Sequence, residues 1–388
     1  MLVLVNGLRK RIGAFDGAVV SRHASENAYE KYGLRSVQNF EYDSKAESAD
    51  KWFRGFNYGD DRTHIKILKE EIASSDLLVL GAGNFLVDIT IDLLRGPIPY
   101  LFILTLMAKM SGTPVMWYGM SVGPFRTDYG IQLTRLAAEF TDAVTVRDSG
   151  SCIALKELGY DGTVTKLPDP VLGLHPPDVN VARSITTWRQ AHQRPGPVIA
   201  ISVRSIPSGS NLDMKQYIES MAIICDELIS HYDANLLFIP QCTYEHGNKN
   251  EDDRYIAKLV VDKMVNKNKA IVVKKDLTVD ECLALYHQAD AAICTRLHAN
   301  VYAAIQGVPS VAIDYNPKVA GFMEWLGKDN FVVSLEDFYP QNVLQIVQGI
   351  FNSRNKLSKS IVERVEKGRK EVNHYIEIAS GLITKKIE

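Results

Sequence analysis

Short apolar runs alternate with stretches of helical spacing along most of this chain, and that alternation restricts the fold more than any other feature. Strand–helix repeats of this kind build parallel sheets covered by helices. In the first half, strands are expected near Met1–Val5, Asp76–Leu80, Pro114–Tyr118 and Ala143–Val146, and a helix over Gly150–Leu158 stopped by Gly159. In the second half, strands are expected near Val198–Val203, Asn235–Pro240, Ala270–Val273, Ala291–Cys294 and Ser310–Asp314. Between them, Leu174–Pro197 carries Pro176, Pro177, Pro195, Gly196 and Pro197 and reads as an interdomain linker. A length of 388 residues suits two domains. The division expected is a Rossmann-like domain over 1–175, a linker over 176–197, a second Rossmann-like domain over 198–350 and a C-terminal helical segment over 351–388. The fold class is α/β, two Rossmann-like domains facing across a cleft. In such sheets ligands bind beyond the carboxyl ends of the strands.

Charge and cysteine usage remove several functions. Basic and acidic residues number 44 and 46, a net charge of −2, so no basic surface for nucleic acid is expected. The five cysteines, Cys152, Cys225, Cys242, Cys282 and Cys294, form no CxxC pair, so neither a disulfide framework nor a cysteine zinc site is expected. Cytoplasmic residence is the simplest reading. The opening MLVLVNGLRKR is too short an apolar run for a signal peptide. The longest apolar stretch, Pro97–Ala108, is broken by prolines and too short to span a bilayer, so a buried helix is expected there and no transmembrane segment. Peripheral contact with a membrane surface stays compatible with this. HExxH, GxSxG and Walker patterns are missing, and neither a metal nor a cofactor is expected.

Cys294-Thr-Arg296-Leu-His298-Ala-Asn300 follows a buried strand and opens a helix ended by Gly307, with Pro309 beyond. Cations are normally avoided at the positive end of a helix. Arg296 and His298 placed there suit a bound phosphate or carboxylate, which the free amides of the first turn also favour. The plainer alternative pairs Arg296 with a neighbouring carboxylate and uses His298 as a cap. Asp314-Tyr-Asn-Pro-Lys318 ends the next strand, and Pro317 stiffens the turn so that Lys318 is aimed at the same cleft; otherwise it is a solvated lysine. Arg147 ends a strand in Val146-Arg-Asp148, and Arg204 ends the first strand of the second half. Both are candidates for bidentate recognition of a planar anion or for an interdomain salt bridge.

Glycine loops at strand ends supply a backbone surface. Gly81-Ala-Gly83-Asn84-Phe-Leu-Val-Asp88 lacks the third glycine of a dinucleotide fingerprint, so NAD is not implied. Gly83, Asn84 and Asp88 are candidates for binding a second ligand, against plain turn chemistry, and Gln241 in the polar loop Pro240–His246 is a candidate for sugar contacts. Asp169, in the rigid turn Pro168-Asp-Pro170, reads as structural.

In this order, GAGNFLVD, SVGP, VRD, PDP, Thr295-Arg-Leu-His298, Gly307-Val-Pro, Asp314-Tyr-Asn-Pro-Lys318 and Phe322-Met-Glu-Trp-Leu-Gly327 resemble the polysaccharide pyruvyl transferase family, from about Asp76 to Gly327. The resemblance implies a fold like the GT-B glycosyltransferases, phosphoenolpyruvate as donor substrate, and a pyruvate ketal on a sugar of a bacterial surface glycan as product. It places a donor-site arginine at Arg296 and the catalytic histidine at His298, with Lys318 and Arg147 matching further cationic positions. With Arg204 these make the donor set. Members usually open on an Asn-x-Gly-Asp loop; MLVLVNGLRKRIGAFDG departs from this, so the acceptor side is unusual.

Two rival readings remain. A nucleotide-sugar glycosyltransferase of the same fold would carry two glutamates eight residues apart in its donor loop, where this chain has Lys318 and only Glu324. A catalytically silent glycan-binding protein need not keep its cations on one cleft wall.

Overall fold

The computed structural model describes residues 1–387 except 44–46, 49, 82, 84–85, 89–94, 177–194, 208–209 and 244–248, with side chains to residue 384. The chain divides into two compact units: Met1–Pro170 with Lys370–Glu388, and Val171–Arg369. Most of the expected linker, and Asn84 with Tyr244, Glu245 and His246, lie outside the described residues.

The first unit opens with α1 (Leu2–Ile12), where the apolar opening suggested a strand. The reason lies beyond Val5. Leu4, Val5 and Leu8 are buried at helical spacing, and the helix passes so close to Ile376 that Gly7 has no room for a side chain. A small parallel pair follows, β1 (Ala18–Ser21) and β2 (Arg35–Gln38). Then α2 (Thr63–Ser74) leads into β3 (Leu78–Gly81), α3 (Pro97–Met110), β4 (Val115–Met120), α4 (Asp128–Glu139), β5 (Ala143–Val146), α5 (Ser149–Glu157) and β6 (Val164–Lys166). These four strands pair in chain order, all parallel. Every position of β4 is buried, as a strand covered by helices on both faces requires. The apolar stretch from Pro97 is helical, as expected, and no described helix is long and apolar enough to cross a membrane.

The second unit runs β7 (Val198–Ser202), α6 (Met214–Tyr232), β8 (Asn235–Phe238), α7 (Asp253–Lys263), β9 (Ala270–Val272), α8 (Val279–His287), β10 (Ala291–Cys294), α9 (Leu297–Ile305), β11 (Ser310–Asp314), α10 (Pro317–Trp325) and β12 (Val332–Ser334). Its strands are parallel in the order β12-β11-β10-β7-β8-β9. One face of β7, Ile199 and Ile201, packs on Tyr217, Met221, Ile256 and Val260 of α6 and α7. The other, Val198 and Ala200, packs on Leu285, Tyr286, Ala299 and Ala303 of α8 and α9. Burying each Ile or Leu contributes about 1.5–3 kcal/mol. The sheet starts at β7, winds out to β9, and resumes on the opposite side at β10. That reversal opens a crevice beyond the carboxyl ends of β7 and β10, the place where doubly wound sheets take ligands. Finally α11 (Pro340–Ile387) bends at Ser353, with residues to Arg369 in the second unit and those from Lys370 in the first.

Candidate functional site

β7 and β10 pair with Ser202 opposite Cys294, so Arg204 and Arg296 each stand two residues beyond the same rung of the ladder. The turn after β10 is fixed from below: Thr295 donates its amide to the Ser202 carbonyl at 2.8 Å, and its hydroxyl meets the buried Tyr217 hydroxyl at 2.7 Å. Arg296 is the residue before α9, with extended backbone (φ −83, ψ 138), and does not cap the helix with its side chain. Burial works against its charge, but Asp253 outweighs burial and raises the guanidinium pKa above its usual value.

Asp253 escaped the sequence reading. It is the first residue of α7, its side chain is 1% exposed, and it sits in a closed set of donors. Arg296 Nη2 donates to its Oδ1 at 2.6 Å, and Nε reaches both oxygens at 3.2 Å. The backbone amides of Gln241 and Cys242 both donate to Oδ2 at 2.9 Å. The plainer expectation, Arg296 paired with a carboxylate, is therefore present in the structure. It does not exhaust the arginine: Nε and Nη2 face Asp253, and among the described residues Nη1 makes no hydrogen bond. A pair of acids, Asp252-Asp253, ahead of a helix was the only signal, and it reads equally as a cap; Asp252 is indeed the cap of α7.

Arg204 and Lys318 meet at Tyr315. The Arg204 guanidinium lies 3.9 Å from the centre of the Tyr315 ring and Lys318 Nζ lies 5.7 Å from it. Arg204 Nε donates to the Ser205 carbonyl at 2.8 Å. Neither cation has a carboxylate partner among the described residues. Lys318 occupies the second position of α10, after Pro317, and Asn316 caps that helix by accepting the Lys318 amide. Two helix starts, α9 and α10, thus open at the same sheet edge, each beside a cation, and free first-turn amides attract anions there. Arg296, Arg204 and Cys242 are also close enough to interact electrostatically: burial pushes the Cys242 thiol up, and both arginines pull it down. His298, the second residue of α9, is exposed and stacks on Tyr302, ring centres 6.2 Å apart. Gln241 follows β8 at the same edge, its amide nitrogen 3.9 Å from the Cys282 sulfur.

The remaining candidates belong to the first unit. The Arg147 side chain is 6% exposed; it donates to Asp169 at 2.9 Å and to Ser121 Oγ at 2.9 Å, which ties the Pro168–Pro170 turn to the end of β5. Asp148 caps α5 and accepts from Ser121. Asp88 is buried and accepts from the Arg126 amide at 3.2 Å and from the Thr127 hydroxyl, bracing the approach to α4. The Gly83 carbonyl accepts the Ser121 amide. Asn84 lies outside the described residues. Among the described residues no group of three or more His, Cys, Asp or Glu side chains is placed to hold a metal ion.

Comparison with known proteins agrees with this architecture. The chain is 24% identical over 315 residues to the amylovoran biosynthesis protein AmsJ of Erwinia amylovora, covering 79% of this chain and 72% of that one. UDP-GlcNAc 2-epimerase from Neisseria meningitidis superposes with a TM-score of 0.55 at 12% identity, over 99% of this chain and 96% of that one. MurG from Acinetobacter baumannii does so with a TM-score of 0.50 at 12% identity, over 98% and 94%. At such identities these structures show the fold, that of the GT-B glycosyltransferases, and nothing finer. The family model of the polysaccharide pyruvyl transferases matches residues 18–317, a span that holds Arg147, Arg204, Arg296 and His298 and stops one residue before Lys318. The chain belongs to the polysaccharide pyruvyl transferase family.

Proposed function

We propose that this transferase moves the pyruvyl group of phosphoenolpyruvate onto a sugar of a bacterial exopolysaccharide and closes it as a ketal. One observation carries the reading: Arg204 and Lys318, without carboxylate partners among the described residues, share the Tyr315 ring beside Arg296 at the crevice of a doubly wound sheet. A donor with both a phosphate and a carboxylate needs several fixed cations in a small space, and arginine meets both groups bidentately. The Erwinia relative is an amylovoran biosynthesis protein, which supports a polysaccharide acceptor.

Arg296 Nη1, Arg204 and Lys318 hold the donor's anionic groups. Protonation of the methylene carbon makes C2 electrophilic; a sugar hydroxyl adds there and loses its proton; phosphate leaves with the C2–O bond; a second hydroxyl closes the ring and loses its proton. Each step moves a proton, and His298 is the shuttle, because an imidazole titrates near operating pH. No step calls on a metal or cofactor, since the cations neutralise the donor. Gly83, Asn84, Asp88 and Gln241 remain the acceptor-side candidates, Asp88 through the loop it braces. Arg147, tied to Asp169, is left out of the donor set. The donor is an intracellular metabolite, so the reaction is placed in the cytoplasm, at the inner membrane face where the acceptor is lipid-linked.

A phosphate-release assay tests this. Phosphoenolpyruvate is offered with galactosides, mannosides and N-acetylhexosamines. Acceptor-dependent phosphate release supports the reading. Release from none of them, with consumption of a UDP- or GDP-sugar instead, sinks it and restores the glycosyltransferase alternative.

A further inference from the structure

We infer that Asp253 is a positioning residue for the donor site: its buried carboxylate fixes the face of Arg296 that meets the donor and locks the Gln241–Cys242 loop to the same point. The inference rests on the proposed anion-binding role of Arg296 and names what sets that role up. The two ends it joins come from different strands, β8 and β10, which are not neighbours in the sheet because β7 lies between them. No ladder bond joins them directly, since each pairs with β7, and beyond the strand ends Asp253 spans the gap. Oδ1 holds the guanidinium and Oδ2 holds two successive amides.

The hydrogen-bond pattern shows why a carboxylate stands here. Arginine presents five donors in a rigid plane. Because Nε and Nη2 are both taken by Asp253, rotation about the last side-chain bonds is arrested and Nη1 is held in a fixed direction. A lone arginine at a helix start would sample many orientations and lose that freedom on binding an anion. A second, opposing effect sharpens the test. Asp253 is negative and close to the anion site, so on charge alone it weakens the donor. If it were only a charge compensator, neutralising it would tighten binding. As a positioning residue, its neutralisation loosens binding.

Asp253→Asn separates the two. The asparagine oxygen can still accept the Gln241 and Cys242 amides and the 3.2 Å contact from Nε, while its NH₂ replaces the oxygen that held Nη2 at 2.6 Å and frees the guanidinium to turn. Calorimetric titration with phosphoenolpyruvate, on folded full-length protein, is expected to show about tenfold weaker binding. Arg296→Ala and the double variant should bind about equally, because a residue acting through Arg296 has nothing left to position. Affinity in Asp253→Asn that is unchanged or tighter overturns the inference, as does a double variant that loses about as much as the two single changes summed. If Asp253→Asn does not fold, Asp253→Glu is read by the same criteria, since its longer stem keeps the charge and misplaces it. Wild-type protein that binds no phosphoenolpyruvate overturns the donor assignment itself, and this inference with it; wild-type binding with an indifferent Asp253→Asn overturns this inference alone.

Discussion

At the scale of single residues, the pairing of Arg296 with Asp253 changes what its removal does. From the helix dipole alone, losing a cation at the start of α9 should relieve the helix slightly. The structure reverses that expectation, because Asp253 is 1% exposed and would be left buried without its counter-charge. Breaking one side of a buried pair costs about 3–5 kcal/mol, and the two amides that still hold Asp253 bring Arg296→Ala to the lower end, about 3 kcal/mol. Urea denaturation of Arg296→Ala should show that loss; an unchanged midpoint would mean the pair is not formed. His298 is different. It is exposed on α9, and its replacement should leave folding alone. His298→Gln is expected to lower single-turnover rate by about 10²–10⁴ while donor affinity stays within about tenfold. A variant keeping more than about a tenth of wild-type rate would remove His298 from proton transfer.

At the scale of elements, the strands that hold the site were legible because they are continuous apolar runs. Ala291–Cys294 and Ser310–Asp314 have the limits expected of them, and Gly307 ends α9 with a positive φ of 69°. The misses have physical causes. The short strands β6 and β12 are three residues each and largely half-exposed, too brief for an apolar run to stand out. The opening helix α1 begins with an apolar run whose helical period shows only when Leu8 is included. Asp253 was invisible because its partner lies 43 residues further on, and spacing along the chain says nothing about such a contact. Tyr315 stood inside a motif already noted, yet only the fold shows it between two cations. The turn from β11 into α10 yields a pH prediction. Burial raises the Asp314 carboxyl above its usual range, against the Asn316 and Ala320 amides. Its contribution is therefore most favourable below the unfolded carboxylate value, about pH 4, and is lost as pH rises through the folded value. Asp314→Asn keeps the acceptor for the Asn316 amide and removes that pH-dependent cost. Its stability relative to wild type should rise from about pH 3 to about pH 7. Thermal melts across this range decide it; a variant that loses ground as pH rises contradicts the burial argument.

For the whole molecule, the α/β class follows from the alternation of strand and helix, and the family, with the GT-B-like fold it implies, follows from ordered motifs that mostly end strands. A transferase of this family that neutralises its donor with arginine and lysine should keep its turnover after exhaustive chelation. Loss restored only by a divalent ion would contradict that. In the proposed reaction the carbon skeleton of phosphoenolpyruvate ends up on the sugar. Phosphoenolpyruvate isotopically labelled at C2 should, with a competent acceptor, place the label at a quaternary ketal carbon bonded to two sugar oxygens, with one phosphate released per label transferred. Label that stays in phosphoenolpyruvate or free pyruvate, while a nucleotide sugar alone modifies the acceptor, would contradict the account.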